Sequence, residues 1–140
     1  MTDFSGFSEQ EILEHIFKNN PIFTSPTEVY VSLHTADEGE NPDESNEVDI
    51  STTNYSRAET VPSDWSIGAG DGPTTLQNAN TISFGDPNSN WGTVTHIALW
   101  DAKDGGNPLT ATVALNSSKS VTSDTDELQF AAGNLTFDLN

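Results

Sequence analysis

The sequence predicts an all-β protein, a jelly-roll-like β-sandwich of about eight short strands with one short N-terminal helix. Three observations carry this expectation. Short runs alternating apolar and polar residues recur along the chain, each closed by Gly, Asn, Asp or Pro. Helical spacing of apolar residues is confined to the stretch before Pro21. There is no cysteine, so 140 residues must hold together by packing, pairing and assembly, and neither a disulfide framework nor a thiolate metal site is available.

The helix is expected over residues 8–18. Ser8 and Glu11 match a capping box, Ile12, Leu13, Ile16 and Phe17 form one stripe, and Glu9, Glu11 and Glu14 suit the positive end of the dipole. Asn19, Asn20 and Pro21 should stop it. A lone helix of about three turns is marginal in water, so the stripe must dock on the domain or on a neighbouring subunit. Residues 1–22 therefore read as a helical docking segment, and residues 23–140 as a single β-sandwich domain.

Residues 28–34 alternate with Val29, Val31 and Leu33 on one face and Tyr30, Ser32 and His34 on the other, as a strand does. Residues 36–53 are crowded with Asp, Glu, Asn and Ser and read as a long exposed loop. A weaker strand follows at 55–61. Residues 62–73 read as irregular, with Gly68, Gly70 and Gly72 interleaved and Trp65 and Ile67 pinning part of the stretch to the core. Further strands are expected at 80–84, 93–100, 109–115, 120–122, 128–131 and 135–139. The hairpin 93–115 is the clearest local signal, because Asp101, Asp104, Gly105, Gly106 and Asn107 supply its turn. On its first strand His96 should share a face with Val94, Ala98 and Trp100. Its second strand should put Leu109, Ala111, Val113 and Leu115 on one side.

Charge excludes whole classes of function. Twenty-two acidic residues against Lys18, Arg57, Lys103 and Lys119 give a formal net charge of -18. Four scattered cations cannot neutralise a phosphate backbone, so nucleic acid is excluded as a partner. No apolar run approaches the roughly 20 residues of a membrane span, and no secretory signal opens the chain, which predicts no membrane insertion and synthesis in the cytoplasm. Self-repulsion at this charge opposes compaction in dilute buffer. Near 1 M salt the Debye length falls to about 3 Å. An acidic, lysine-poor surface therefore points to a protein that works in brine.

Catalytic motifs are missing. There is no G-x-S-x-G elbow, phosphate loop or dinucleotide fingerprint, and His15, His34 and His96 show no metal or triad spacing. Carboxylate pairs are too abundant to point to a glycosidase. Asp101 with Asp104 and Asn107, and Asp124 with Asp126 and Glu127, are candidate calcium ligands, though turn chemistry accounts for both. No catalytic residue, cofactor site or assigned metal site is expected. Sequons at Asn54, Asn116 and Asn134 satisfy the N-glycosylation rule in a chain rich in Asn, Ser and Thr.

One set of blocks carries a resemblance. After the N-terminal helix come Val29-Tyr30-Val31-Ser32-Leu33-His34-Thr35-Ala36-Asp37 with an acidic glycine turn, then Tyr55-Ser56-Arg57. They are followed by Trp91-Gly92-Thr93-Val94-Thr95-His96-Ile97-Ala98-Leu99-Trp100-Asp101-Ala102, the Gly105-Gly106-Asn107 turn, and Phe130-Ala131-Ala132-Gly133-Asn134-Leu135. In this order the chain resembles the tail-fibre-like or minor structural proteins of tailed viruses. Its acidic segment 38–49 is the main departure and suits a haloarchaeal virus. The resemblance implies a non-enzymatic β building block on the virion exterior, as head decoration or turret, or as tail-fibre or baseplate piece. Implied partners are other virion proteins, further copies in a homo-oligomer, and a host surface glycan or protein. Ile12, Leu13, Ile16 and Phe17 would form the interface. The alternative is a carbohydrate-binding module using exposed Trp65, Trp91 or Trp100; an envelope-cleaving hydrolase has least support.

Overall fold

The computed structural model describes residues 3–19, 24–68 and 75–138. Asn20, Pro21, Gly70, Gly72, Leu139 and the 22/23 boundary lie outside them. The described residues form α1 (Gly6–Phe17) and nine strands: β1 (Val29–His34), β2 (Ala58–Thr60), β3 (Trp65–Ile67), β4 (Thr75–Asn78), β5 (Ile82–Ser83), β6 (Gly92–Trp100), β7 (Val113–Val121), β8 (Gln129–Phe130) and β9 (Thr136–Asp138). They build a four-stranded sheet β2-β1-β6-β7, a three-stranded sheet β3-β4-β9 and the pair β5-β8, antiparallel at each pairing. The result is the mostly-β, sandwich-like fold that alternation predicted.

One face of the large sheet makes the core. Val31 and Leu33 of β1, Val94, Ile97 and Leu99 of β6 and Val121 of β7 pack with Ile82, Phe130 and Phe137 from the two smaller sheets and with Leu135 just before β9. The alternation in β1 is as expected, with Val31 and Leu33 inward. In β6 it breaks. The pairings Val94↔Lys119 and His96↔Ala114 leave Thr95 alone opposite Leu115 to Ser118. This irregularity turns Val94 to the core with Ile97 and Leu99, while Ala98 and Trp100 lie outside that cluster. The expectation that Val94 shares a face with Ala98 and Trp100 is therefore corrected.

Three other expectations change. The second hairpin strand starts at Val113 rather than Leu109 and runs unbroken to Val121, absorbing the segment expected at 120–122. Residues 108–110 make only isolated bridges, Pro108 to Trp100 and Thr110 to Phe4. The stretch 62–73 contains a short 3-10 turn and β3, whose hairpin with β4 rests on three- and four-residue strands too short to show a period. The helix cap is Ser5 rather than Ser8. The Ser8 amide donates to Ser5 Oγ (3.2 Å), which frees the Ser8 hydroxyl to donate to the Leu109 carbonyl (2.7 Å). Ser5 Oγ also donates to the Pro108 carbonyl. The chain end is stitched in further by Asp3 N to Asp138 O and Ala111 N to Asp3 O.

Residues 36–53 depart most from expectation. They hold backbone bonds to the sheet, Val48 N to Leu33 O (3.0 Å) and Thr35 N to Asn46 O (2.9 Å), and they bury Pro42 and Val48. The segment is a flap packed across the edge of the fold. At its far end the turn 101–107 behaves as predicted. Asp101 accepts from the Asn107 amide (2.7 Å), and Gly106 sits at φ 78, where a Cβ would lie 2.5 Å from Asp101 Oδ1.

Candidate functional site

Two constellations stand out: a buried polar network under the flap, and an apolar cleft beside α1. The network begins at Arg57, just before β2 and 3% exposed. Its guanidinium lies 3.9 Å from the centroid of the Trp100 ring. Nε donates to Glu47 Oε1 (2.9 Å) and Nη2 to Glu47 Oε2 (2.8 Å) and Glu44 Oε1 (3.0 Å), while Nη1 donates to the carbonyls of Ala102 (3.0 Å) and Gly105 (2.7 Å). All five N–H donors of the fork have a partner. Tyr55 joins by donating its hydroxyl to Glu47 Oε1 (2.9 Å) and accepting from the Leu33 amide (3.0 Å). Burial and the Glu47 charge push the Tyr55 phenol well above its ordinary value of 10.0.

On the other side of Trp100, its Nε1 donates to Ser32 Oγ (2.8 Å), Ser32 Oγ lies 2.7 Å from His34 Nε2, and His34 Nδ1 lies 3.0 Å from Glu38 Oε1. A carboxylate only accepts, so Nδ1 carries a proton toward Glu38. Glu38 also receives the amides of Asp43 (2.7 Å) and Asn46 (3.0 Å). Sequence spacing gave no hint of this Ser-His-Glu chain. Its geometry is that of a nucleophile, base and orienting acid, yet Ser32 and His34 are both 0% exposed. Nucleophilic attack needs room for a substrate carbonyl beside the hydroxyl, whereas the Ser32 hydroxyl is fully buried and lies 3.2 Å from the Ala98 carbonyl, to which it donates. The chain of bonds anchors the flap instead. Hydrogen bonds also hold other flap carboxylates below the usual range: Asp37 through Thr112, Asp43 through Ser45 and Asp49 through Ser51.

The cleft of about 360 Å³ runs between α1 and the sheets and is lined by apolar groups including Ile12, Ile16, Trp65, Leu76 and Leu109. Along its rim the helix stripe is left in solvent, with exposure rising from Ile12 at 40% through Leu13 and Ile16 to Phe17 at 75%. The stripe expected to dock thus has no cover within the described residues.

The remaining sequence candidates do not gather into sites. Both Asp101 oxygens serve Asn107, to its amide and side chain, and among the described residues no cluster of three or more His, Asp or Glu could hold a metal. Asp104 lines a separate cleft with Arg57 and Glu44. Of Asp124, Asp126 and Glu127, Glu127 accepts from Ser83. Trp91 is 4% exposed and meets Tyr55 edge-on; Tyr55 stacks on Phe84, and Phe84 contacts Phe130. Trp100 lies under Arg57, and half-buried Trp65 donates to Thr60 (2.8 Å) and packs on Phe137. Trp91 and Trp100 are therefore closed to sugars. Of the sequons, Asn116 and Asn134 are open, whereas the Asn54 side chain binds Asp86, Asn88 and Trp91.

Two outcomes follow from the network. Arg57→Ala leaves Glu47 buried without its partner and should cost about 3–5 kcal/mol in chemical denaturation. Arg57→Lys should recover little of this, since an ammonium neither forks nor stacks in the same way. Tyr55 keeps its proton in the fold at a pH where the unfolded phenol has lost it. Its stabilisation is complete below about 10 and declines as pH rises past that value. Denaturation midpoints measured across that range should fall for the native chain and flatten in Tyr55→Phe.

The sequence blocks that carried the resemblance converge here: 29–37 supplies Ser32 and His34, 55–57 supplies Tyr55 and Arg57, and 91–102 supplies Trp100. No curated protein matches the chain. The family described as podophage GP4 fiber I protein gp80 matches residues 3–138. With a match over almost its entire length, the chain belongs to the podophage GP4 fiber I protein gp80 family.

Proposed function

We propose that this protein is a non-enzymatic structural component on the exterior of a tailed virus particle, a fibre subunit built in as repeated copies. The family match over residues 3–138 carries the reading. Two features support it. The triad-like group of side chains is sealed and spent on anchoring the flap. The apolar stripe of α1, with its adjoining cleft, offers a seat for another virion subunit. Residues 1–22 act as the docking segment and 23–140 as the scaffold. Loop tips opposite the docking face meet solvent and the host surface. A tail-fibre place is favoured over a head decoration or turret by the family description.

The host is a haloarchaeon in this reading, because a formal net charge of -18 on 140 residues is best tolerated in concentrated salt.

Two measurements test these points. Antibody or gold labelling of purified virions should mark the fibres; protein confined to infected-cell lysate and missing from particles would refute a structural role. Circular dichroism along a salt series should show loss of β structure well below molar salt, whereas an unchanged spectrum in dilute buffer would contradict halophilic origin.

A further inference from the structure

His34 is fully buried, and its two ring nitrogens face partners of different kinds. Nδ1 meets Glu38 Oε1 (3.0 Å), an acceptor that fixes a hydrogen on that nitrogen. Nε2 meets Ser32 Oγ (2.7 Å), a hydroxyl able either to donate or to accept. That hydroxyl has two further neighbours. Trp100 Nε1, which only donates, lies 2.8 Å away, and the Ala98 carbonyl, which only accepts, lies 3.2 Å away. The single hydroxyl hydrogen can serve the carbonyl or Nε2, but not both.

We propose that the Ser32 hydroxyl is a swivel that keeps the flap latched through Glu38 whether His34 carries one ring hydrogen or two. With one, on Nδ1, Ser32 accepts from Trp100 and donates to Nε2. With two, Nε2 donates to Ser32 Oγ, and the hydroxyl turns its hydrogen to the Ala98 carbonyl. Oγ then accepts twice and donates once, so every hydrogen of the chain has an acceptor. Nδ1 donates to Glu38 in both arrangements, and Glu38 keeps the amides of Asp43 and Asn46. A fixed donor or a fixed acceptor in place of the hydroxyl would suit just one of the two forms. The other charged groups around the ring are engaged elsewhere. From the flap, Asp43 accepts from the Ser45 amide, and Glu47, whose backbone bridges that of His34, holds Arg57 and Tyr55. His96 stands opposite His34 on β6 with its Nδ1 2.8 Å from Thr95 Oγ1, and Arg57 lies over Trp100.

The native chain in molar salt, acidified from about pH 8 to about pH 5, crosses the span in which imidazoles change charge. Nitrogen NMR should show His34 Nε2 pass from bare to hydrogen-bearing while Nδ1 bears a hydrogen throughout. The Trp100 indole hydrogen and the Asp43 and Asn46 amides should keep their protection factors across the series. Ser32→Ala removes the swivel and leaves the second ring hydrogen without an acceptor. In that variant the protection of the Asp43 and Asn46 amides should fall about tenfold on acidification, the size expected for one buried donor left unpaired. A hydrogen on Nε2 alone at the alkaline end, an Nε2 that stays bare at the acid end, or native flap protection lost on acidification would overturn the proposal, and these three need no variant to fold. A Ser32→Ala flap as indifferent to acid as the native one would also overturn it.

Discussion

The fold depends on a single cation. Arg57 is one of four Lys and Arg residues against 22 acids, and it is the one buried against Trp100 with its fork closed on Glu44, Glu47 and two carbonyls. An ion pair of this kind is worth little net energy compared with a well-packed apolar pair, but breaking it by removing one partner is costly. Its contribution is register. Glu47, Glu44 and the 101–107 turn all meet on the same guanidinium, which ties the flap to that turn.

Once the flap is placed, both faces of the large sheet are covered where β1 and β6 run side by side. Leu33 and Ile97 point into the core, and Ser32, His34 and Trp100 point into the network. This explains how a seryl hydroxyl, an imidazole and a carboxylate come to lie in line while buried. Each buried polar atom needs a partner, and residues far apart in sequence supply one another. Four of the large apolar side chains that remain exposed, Ile12, Leu13, Ile16 and Phe17, lie together on α1.

The fold was legible in β1 and in the turn that follows β6. Six alternating residues define β1, and the Gly-rich turn after β6 has the residues its geometry requires. β3 and β4 were not legible, because three or four residues beside a glycine-rich connection carry no period. The β6 face was misread for a different reason: an irregularity in pairing with β7 is a tertiary event, and it moved Val94 to the other side without any mark in β6 itself. The stripe Ile12, Leu13, Ile16 and Phe17 could be read directly from helical spacing. The flap was hidden because acid-rich segments resemble solvated loops. The available signal was Arg57, a scarce cation beside Tyr55, whose partners had to come from the acidic stretch preceding it.

That the flap belongs to the folded body is the claim on which network, closure and scaffold all rest. Hydrogen exchange of the native chain in molar salt, resolved at residues 36–50 and at β1, tests it most directly. The account predicts that the amides of Asp43, Asn46 and Val48, each held by Glu38 or Leu33, exchange slowly and together with those of β1. Exchange of these three at the rate of an unprotected peptide, with β1 still protected, would contradict it.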